Sequence, residues 1–232
     1  MEAFAQAVAL GVDALEFDVH VSADGVPVVH HDRTLDRTTS GSGPLATRTL
    51  AELRALDAGA RWTADGGRSF PYRERGIGIP TLEEVLARFP DVPILLEIKV
   101  APAAAAVRAA IERHGAHARV VVDSFLGDAL APFRGSRIAT GPSRNGVARL
   151  LFDTLLGRAP RAVGYAAISV PLAYHGLPLP VTRFAAALAP LGVPVHVWTV
   201  NDPSVALRLW RGGVRGMVTD DPAVMLEARR RL

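Results

Sequence analysis

The sequence predicts an α/β fold, a (β/α)8-type barrel whose first strand is missing from the chain, and three observations carry that expectation. The chain has 232 residues, and α/β barrels commonly run to about 200–250 residues as one domain. Short runs rich in Val, Ile and Leu alternate with helical patterns, as expected of βα units around a parallel sheet. Seven such runs occur where a closed barrel needs eight, and a helix already leads into the first of them, so the absent strand is expected before Met1.

The expected strands are 12–18, 93–99, 119–124, 137–141, 163–170, 194–200 and 214–219. Helical patterns fall at 2–10, 81–89, 101–114, 127–133, 144–156, 182–191, 203–211 and 222–231, with Gly11, Gly115, Gly192 and Gly212 as C-terminal stops. The first helix, MEAFAQAVALG, starts without Ser, Thr, Asp or Asn as a cap. Residues 26–31 (VPVVHH) form a further short strand, joined to the first through a hairpin at Asp24-Gly25 and lying outside the barrel count. From Asp32 to Ile79 the pattern gives way to Gly, Ser, Thr and Arg, with one helix at 49–57. That length exceeds an ordinary βα connection, so residues 33–78 are read as an insertion over the barrel mouth in a single domain spanning 1–232.

Composition narrows the function classes. Hydrophobic residues make up 49% and charged residues 21%, ordinary for a packed soluble protein, and no apolar run reaches the roughly 20 residues that span a bilayer. The formal charge of +3 comes from arginines scattered singly, apart from Arg229, Arg230 and Arg231 on the last helix, so a nucleic-acid partner is not expected. Cysteine is absent, which restricts any metal to oxygen or imidazole ligands. No secretory signal is visible, and a cytoplasmic location is expected with export left open. The oligomeric state is not legible. Lysine occurs once, at Lys99, against 25 arginines, which singles it out.

Side chains alternate along a strand, so Glu16 and Asp18 share one face and Glu97 and Lys99 another, each pair at the carboxyl end of its strand where (β/α)8 active sites lie. Leu15, Phe17 and Val19 then pack beneath the helices. Carboxylates brought together without counterions raise one another's pKa, whereas a divalent cation removes the repulsion and uses Glu16, Asp18 and Glu97 as ligands. Oxygen ligands favour Mg²⁺, Ca²⁺ or Mn²⁺. His31 ends the hairpin strand beside Asp32, a neighbour that fixes an imidazole tautomer for proton transfer. His30 points the other way, His20 shares the Asp18 face at the rim, and His196 is an inward-facing core residue. Lys99 either neutralises an anionic substrate or pairs with Glu97. Trp198 closes an apolar wall against a substrate or belongs to the barrel core.

These residues sit in stretches that resemble the glycerophosphodiester phosphodiesterases: ALEFDVHVSADGVPVVHHDRTLDRTT (14–39), IPTLEEVL (79–86), ILLEIK (94–99), VVDSF (121–125), HVWTVND (196–202) and GVRGMVTDDP (213–222). The resemblance implies a TIM barrel with a small insertion after the hairpin. It implies hydrolysis of glycerophosphodiesters to glycerol 3-phosphate and an alcohol with a divalent cation, the glycerol hydroxyl attacking first, and a place in lipid and glycerol metabolism. Carried over by position, Glu16, Asp18 and Glu97 match metal ligands, His31 a catalytic histidine, Lys99 a phosphate-contacting lysine and Trp198 a substrate-wall aromatic. Ser124 and Phe125 match a signature lining the site. The family's first strand, ending in His-Arg-Gly, and its Pro-Glu-Asn-Thr turn have no counterpart here, and with them go a second catalytic histidine and an arginine for the phosphate. A related phospholipase D-like phosphodiesterase, or a metal- and phosphodiester-binding paralogue with impaired catalysis, are the alternatives.

Overall fold

In the computed structural model, which describes all of Met1–Leu232, each βα pattern becomes a strand and a helix, but most strands are short. The strands are β1 (Leu15–Val21), β2 (Pro27–Val29), β3 (Ile94–Ile98), β4 (Val120–Asp123), β5 (Ala139–Thr140), β6 (Ile168–Pro171), β7 (Ala173–Tyr174), β8 (Leu177–Pro178), β9 (Val195–Trp198) and β10 (Gly216–Met217). The helices are α1 (Glu2–Leu10), α2 (Leu50–Arg54), α3 (Leu82–Arg88), α4 (Ala104–Arg113), α5 (Gly127–Leu130), α6 (Arg144–Leu155), α7 (Val181–Leu188), α8 (Pro203–Arg211) and α9 (Pro222–Arg229). No helix is long and apolar enough to cross a membrane.

One sheet runs β2-β1-β3-β4-β5 and another β10-β9-β6; all neighbours are parallel except the β1–β2 hairpin. The two sheets meet where the Ala166 N–H donates to the Thr140 carbonyl at 2.8 Å. The seven expected barrel strands are therefore all present and follow one another around a ring, which stays open between β10 and β1.

Alternation along the strands divides the side chains. Leu15, Phe17 and Val19 of β1, Ile94, Leu96 and Ile98 of β3, and Val120 and Val122 of β4 face outward and are buried beneath α3 and α4 in one core cluster. A second cluster forms where Ile168, Val170, Val195 and Val197 meet Phe184 and Leu188 of α7. The inward positions, among them Glu16, Asp18, Glu97, Asp123, His196 and Trp198, are only half-buried.

Local chemistry sets most boundaries. Thr49 with Glu52 and Thr81 with Glu84 form reciprocal capping boxes at α2 and α3, and Asp202 and Asp221 cap α8 and α9. Gly11, Gly115 and Gly192 take left-handed conformations after helices as expected, but at the end of α8 it is Gly213 (φ 88°), not Gly212, that does so. The expected helices over 101–114, 127–133 and 182–191 each contain a 3₁₀ turn carrying a proline, so their α-helical parts are shorter than the pattern suggests. The 49–57 helix is likewise confined to Leu50–Arg54. The hairpin loop is one residue longer than a two-residue turn, closed by the Ser22 N–H donating to the Val26 carbonyl, because Asp24 accepts from both Ser22 Oγ and the Leu50 amide. Residues 33–78 build a small core of their own, with Leu35, Leu45 and Leu53 packed against Val28 and Ile79.

Leu96 is fully buried on the outward face of β3. Leu96→Ala is expected to cost about 2–5 kcal/mol of stability, through lost transfer energy and the cavity left behind, read from the denaturant midpoint.

Candidate active site

The parallel register pairs Asp18 with Glu97, and Glu97 in turn with Asp123. This brings carboxylates from β1, β3 and β4 to the carboxyl end of the sheet, where the chain direction changes and loops begin. Lys99, two residues past Glu97, folds back over them. Its Nζ lies 2.9 Å from Asp18 Oδ1 and 3.1 Å from Glu97 Oε2. Of the two readings of Lys99, the pairing with Glu97 is the one observed, and it is shared with Asp18. Two of the three acids expected to need positive charge between them, Asp18 and Glu97, share that of Lys99. As the side chains stand, no group of three His, Cys, Asp or Glu residues is arranged to hold a metal ion.

Burial weighs on each of these charges differently. For Lys99, burial opposes the charge, but Asp18 and Glu97 overcome it and hold the ammonium more firmly protonated than usual. Glu97 is pushed up by burial, with Lys99 offsetting part of the effect. Lys99 does not reach Glu16. Burial, then the neighbouring Asp18 and Glu97, push the Glu16 carboxyl up to about 8.

His31 stands at the rim as expected. Its Nδ1 lies 2.7 Å from Asp32 Oδ1, and its Nε2 4.0 Å from Asp18 Oδ2. Asp32 also accepts from Arg37 Nε at 2.6 Å, and this hydrogen bond lowers its carboxyl to about 2. An ionised Asp32 draws the Nδ1–H toward itself and leaves Nε2 directed at the carboxylates. His30 turns away and donates to the Thr34 carbonyl. His20 is not at the rim: it is buried, and its Nε2 donates to the His31 carbonyl at 3.3 Å, which fixes the backbone carrying the exposed imidazole. His196 faces inward and burial lowers its pKa; its ring lies against Gly216, where a Cβ would come within 2.7 Å.

Trp198 at the end of β9 meets Phe125 edge to face, with centroids 6.1 Å apart. Ser124 is buried and structural: its hydroxyl donates to the Ile98 carbonyl and accepts from the Leu126 amide, tying the end of β3 to the loop that carries Phe125.

A family profile described as the glycerophosphoryl diester phosphodiesterase family matches residues 1–224. The chain belongs to the glycerophosphoryl diester phosphodiesterase family. The uncharacterized protein Rv2277c of Mycobacterium tuberculosis is 36% identical over 159 residues, covering 66% of this chain and 53% of that protein. The crystal structure of its glycerophosphoryl diester phosphodiesterase domain superposes with a TM-score of 0.83 at 25% identity, over 99% of this chain and 92% of that one. A glycerophosphodiester phosphodiesterase of Caldanaerobacter subterraneus is 29% identical over 239 residues, covering 99% of this chain and 90% of that protein. An Oleispira antarctica phosphodiesterase solved with the product sn-glycerol-3-phosphate matches at 26% identity with a TM-score of 0.74, over 98% of this chain and 90% of that one. The chain spans about half the length of Rv2277c.

Two residues in this family member were not singled out from sequence. Asp123 is enclosed behind Glu97, and burial raises its carboxyl to about 7, although the Ser124 amide donates to it at 2.8 Å. Gly141 makes its room, since a Cβ there would lie 2.7 Å from Oδ1. An apolar run ending in a lone acid, VVVD, was the available signal. Arg144, at the start of α6, places its guanidinium 5.9 Å from the Phe125 ring centroid. A long-range contact of this kind leaves no mark in local spacing.

Folding raises the pKa of Glu16 and Asp123 above unfolded values, so their protonated forms favour the fold. That contribution is complete below the unfolded pKa and is lost as pH rises to about 7 for Asp123 and about 8 for Glu16. Asp123→Asn is therefore expected to exceed the parent protein by roughly 1–3 kcal/mol at about pH 9 and to show no advantage at about pH 4, measured by denaturant unfolding without divalent ions.

Proposed function

We propose that the chain hydrolyses glycerophosphodiesters to glycerol 3-phosphate and an alcohol, with a divalent cation, Mg²⁺, Ca²⁺ or Mn²⁺, held by Glu16, Asp18 and Glu97. The observation that carries this reading is the imidazole of His31, oriented by an ionised Asp32 and aimed across the rim at the carboxylates that surround Lys99. Family membership supports the substrate class.

The donor set suits a hard cation. Glu16 is a half-buried carboxylate beyond the reach of Lys99, next to Asp18 on the same strand face and to Glu97 on the adjacent strand. A bound cation would supply positive charge opposite the phosphoryl oxygens as charge builds there. The chain's own residues do the rest. The Lys99 ammonium contacts a phosphate oxygen as a point charge. His31 Nε2 takes the proton of the hydroxyl attacking phosphorus, and the imidazolium so formed is stabilised by Asp32. The glycerol hydroxyl forms the new P–O bond as the bond to the departing alcohol breaks, the departing oxygen taking a proton from solvent. Water then attacks the cyclic phosphate so formed and breaks one ring P–O bond to give glycerol 3-phosphate. Trp198 and Phe125 offer an apolar wall to the glycerol carbons, with Arg144 beside them as a second cation at the mouth.

A second reading, binding with little turnover, is favoured by one observation: His20 and His30 are committed to backbone carbonyls, so among these neighbours only His31 has a nitrogen directed at the carboxylates. One assay separates the two. Incubation with glycerophosphocholine and Mg²⁺ or Ca²⁺ is expected to release glycerol 3-phosphate, and His31→Ala to lower kcat by about 10²–10⁴. Saturable binding of glycerophosphocholine without release would assign the second reading. Lys99→Met is expected to raise KM as well as lower kcat, since its charge acts on the phosphate in both ground and transition states. A KM unchanged in that variant would remove Lys99 from the substrate.

A further inference from the structure

Charge is divided unevenly along the chain. Between Asp128 and Asp202 stand seven arginines and a single acid, Asp153, whereas the rest of the chain carries 19 basic residues against 22 acids. The same stretch holds five of the ten large apolar side chains left exposed at the surface: Phe152, Leu155, Leu156, Tyr174 and Leu177. Excess positive charge and exposed apolar surface therefore fall together.

They meet most densely on α6. This helix buries Leu150 and Thr154 and packs Val147 and Leu151 against the second core cluster. With that face buried, the opposite side of a surface helix should be polar. Instead Phe152, Leu155 and Leu156, spaced three and four residues apart and so on one side of the last turn, are 60%, 64% and 51% exposed. Three arginines border them. Arg149, one turn earlier, has its side chain 86% exposed and lies 4.0 Å from Asp153, while Arg158 and Arg161, in the loop that follows, are exposed and form no ion pair. A contiguous apolar patch with a polar rim marks an interaction surface.

We propose that this side of α6 docks on an anionic lipid surface, with Phe152, Leu155 and Leu156 entering the acyl boundary and Arg149, Arg158 and Arg161 at the level of the lipid phosphates. The chemistry selects this occupant. An apolar centre ringed by guanidinium groups on aliphatic stems suits the boundary between hydrocarbon and phosphate. A second copy of the chain would set this patch against itself in a two-fold contact, bringing arginines onto arginines with one acid to offset them. A nucleic acid would meet three large apolar side chains where its phosphates need donors. The inference does not depend on the hydrolytic reading, because binding to vesicles is read without turnover.

The test is co-sedimentation of the whole chain with vesicles of phosphatidylcholine alone, and of phosphatidylcholine and phosphatidylglycerol in equal parts. Binding is expected to the mixed vesicles, about tenfold or more weaker to phosphatidylcholine alone, and reversed in ~0.5 M NaCl. Each arginine held at an anionic surface contributes about fivefold in affinity, so the triple variant Arg149→Gln, Arg158→Gln, Arg161→Gln is expected to bind about 100-fold more weakly. Phe152→Ser combined with Leu155→Ser is expected to weaken binding by about tenfold or more. Both positions are exposed, so the Tm of that variant is expected to match the parent's. The proposal is overturned if the parent does not bind the mixed vesicles, if it binds phosphatidylcholine alone equally, or if either variant binds as the parent does. A dimer that the serine variant dissociates, or a DNA duplex bound in place of vesicles, would overturn it too by assigning the patch to another partner.

Discussion

One ammonium group holds the site together. Lys99 bridges Asp18 of β1 and Glu97 of β3, two acids that the parallel register sets side by side and that would otherwise repel across adjacent strands. Because its side chain is largely shielded from solvent, the attraction is stronger than that of a surface pair, while desolvation claims back part of the gain. The result is a cluster in which one ammonium serves two carboxylates, Asp18 and Glu97, while Glu16 lies beyond its reach. Glu16, half-buried beside them, is held back from ionisation by burial and by its acidic neighbours.

The same asymmetry runs through the barrel. Outward faces of β1, β3 and β4 are packed tightly beneath helices, whereas the inward faces remain only half-buried. In a closed (β/α)8 barrel the interior is filled in layers. Here the opening between β10 and β1 leaves that interior accessible along one side, so Glu16 and His196 border a cavity instead of a neighbouring strand. The strand–helix layer holds the two main core clusters, and at the rim Lys99 and His31 both approach Asp18.

Much of this was legible because strands impose a period of two. E-x-D in β1 and E-x-K in β3 could only point their charges to the barrel side, and a hairpin directly after β1 had to return His31 toward the same rim. The family resemblance agreed with those positions. What escaped was relational. That Lys99 would stand between two acids depended on the β1–β3 register, which no single strand encodes. Asp123 acquired its place only by pairing opposite Glu97, with Gly141 clearing space. His20 shares the Asp18 face by alternation, yet the incoming hairpin buries it against the His31 carbonyl. Strand and helix ends were misjudged where proline-bearing 3₁₀ turns and short β5 and β10 cut the apolar patterns off early.

The most direct test of a cation held by Glu16, Asp18 and Glu97 is the proton balance of Mg²⁺ binding, measured by calorimetry in buffers of different ionisation enthalpy. A protonated Glu16 must release its proton to become a ligand, so binding at about pH 6–7 should liberate about one proton, falling toward zero near pH 9. Glu16→Gln should abolish that release. Binding of Mg²⁺ with no proton released, or with release unchanged in Glu16→Gln, would contradict the assignment.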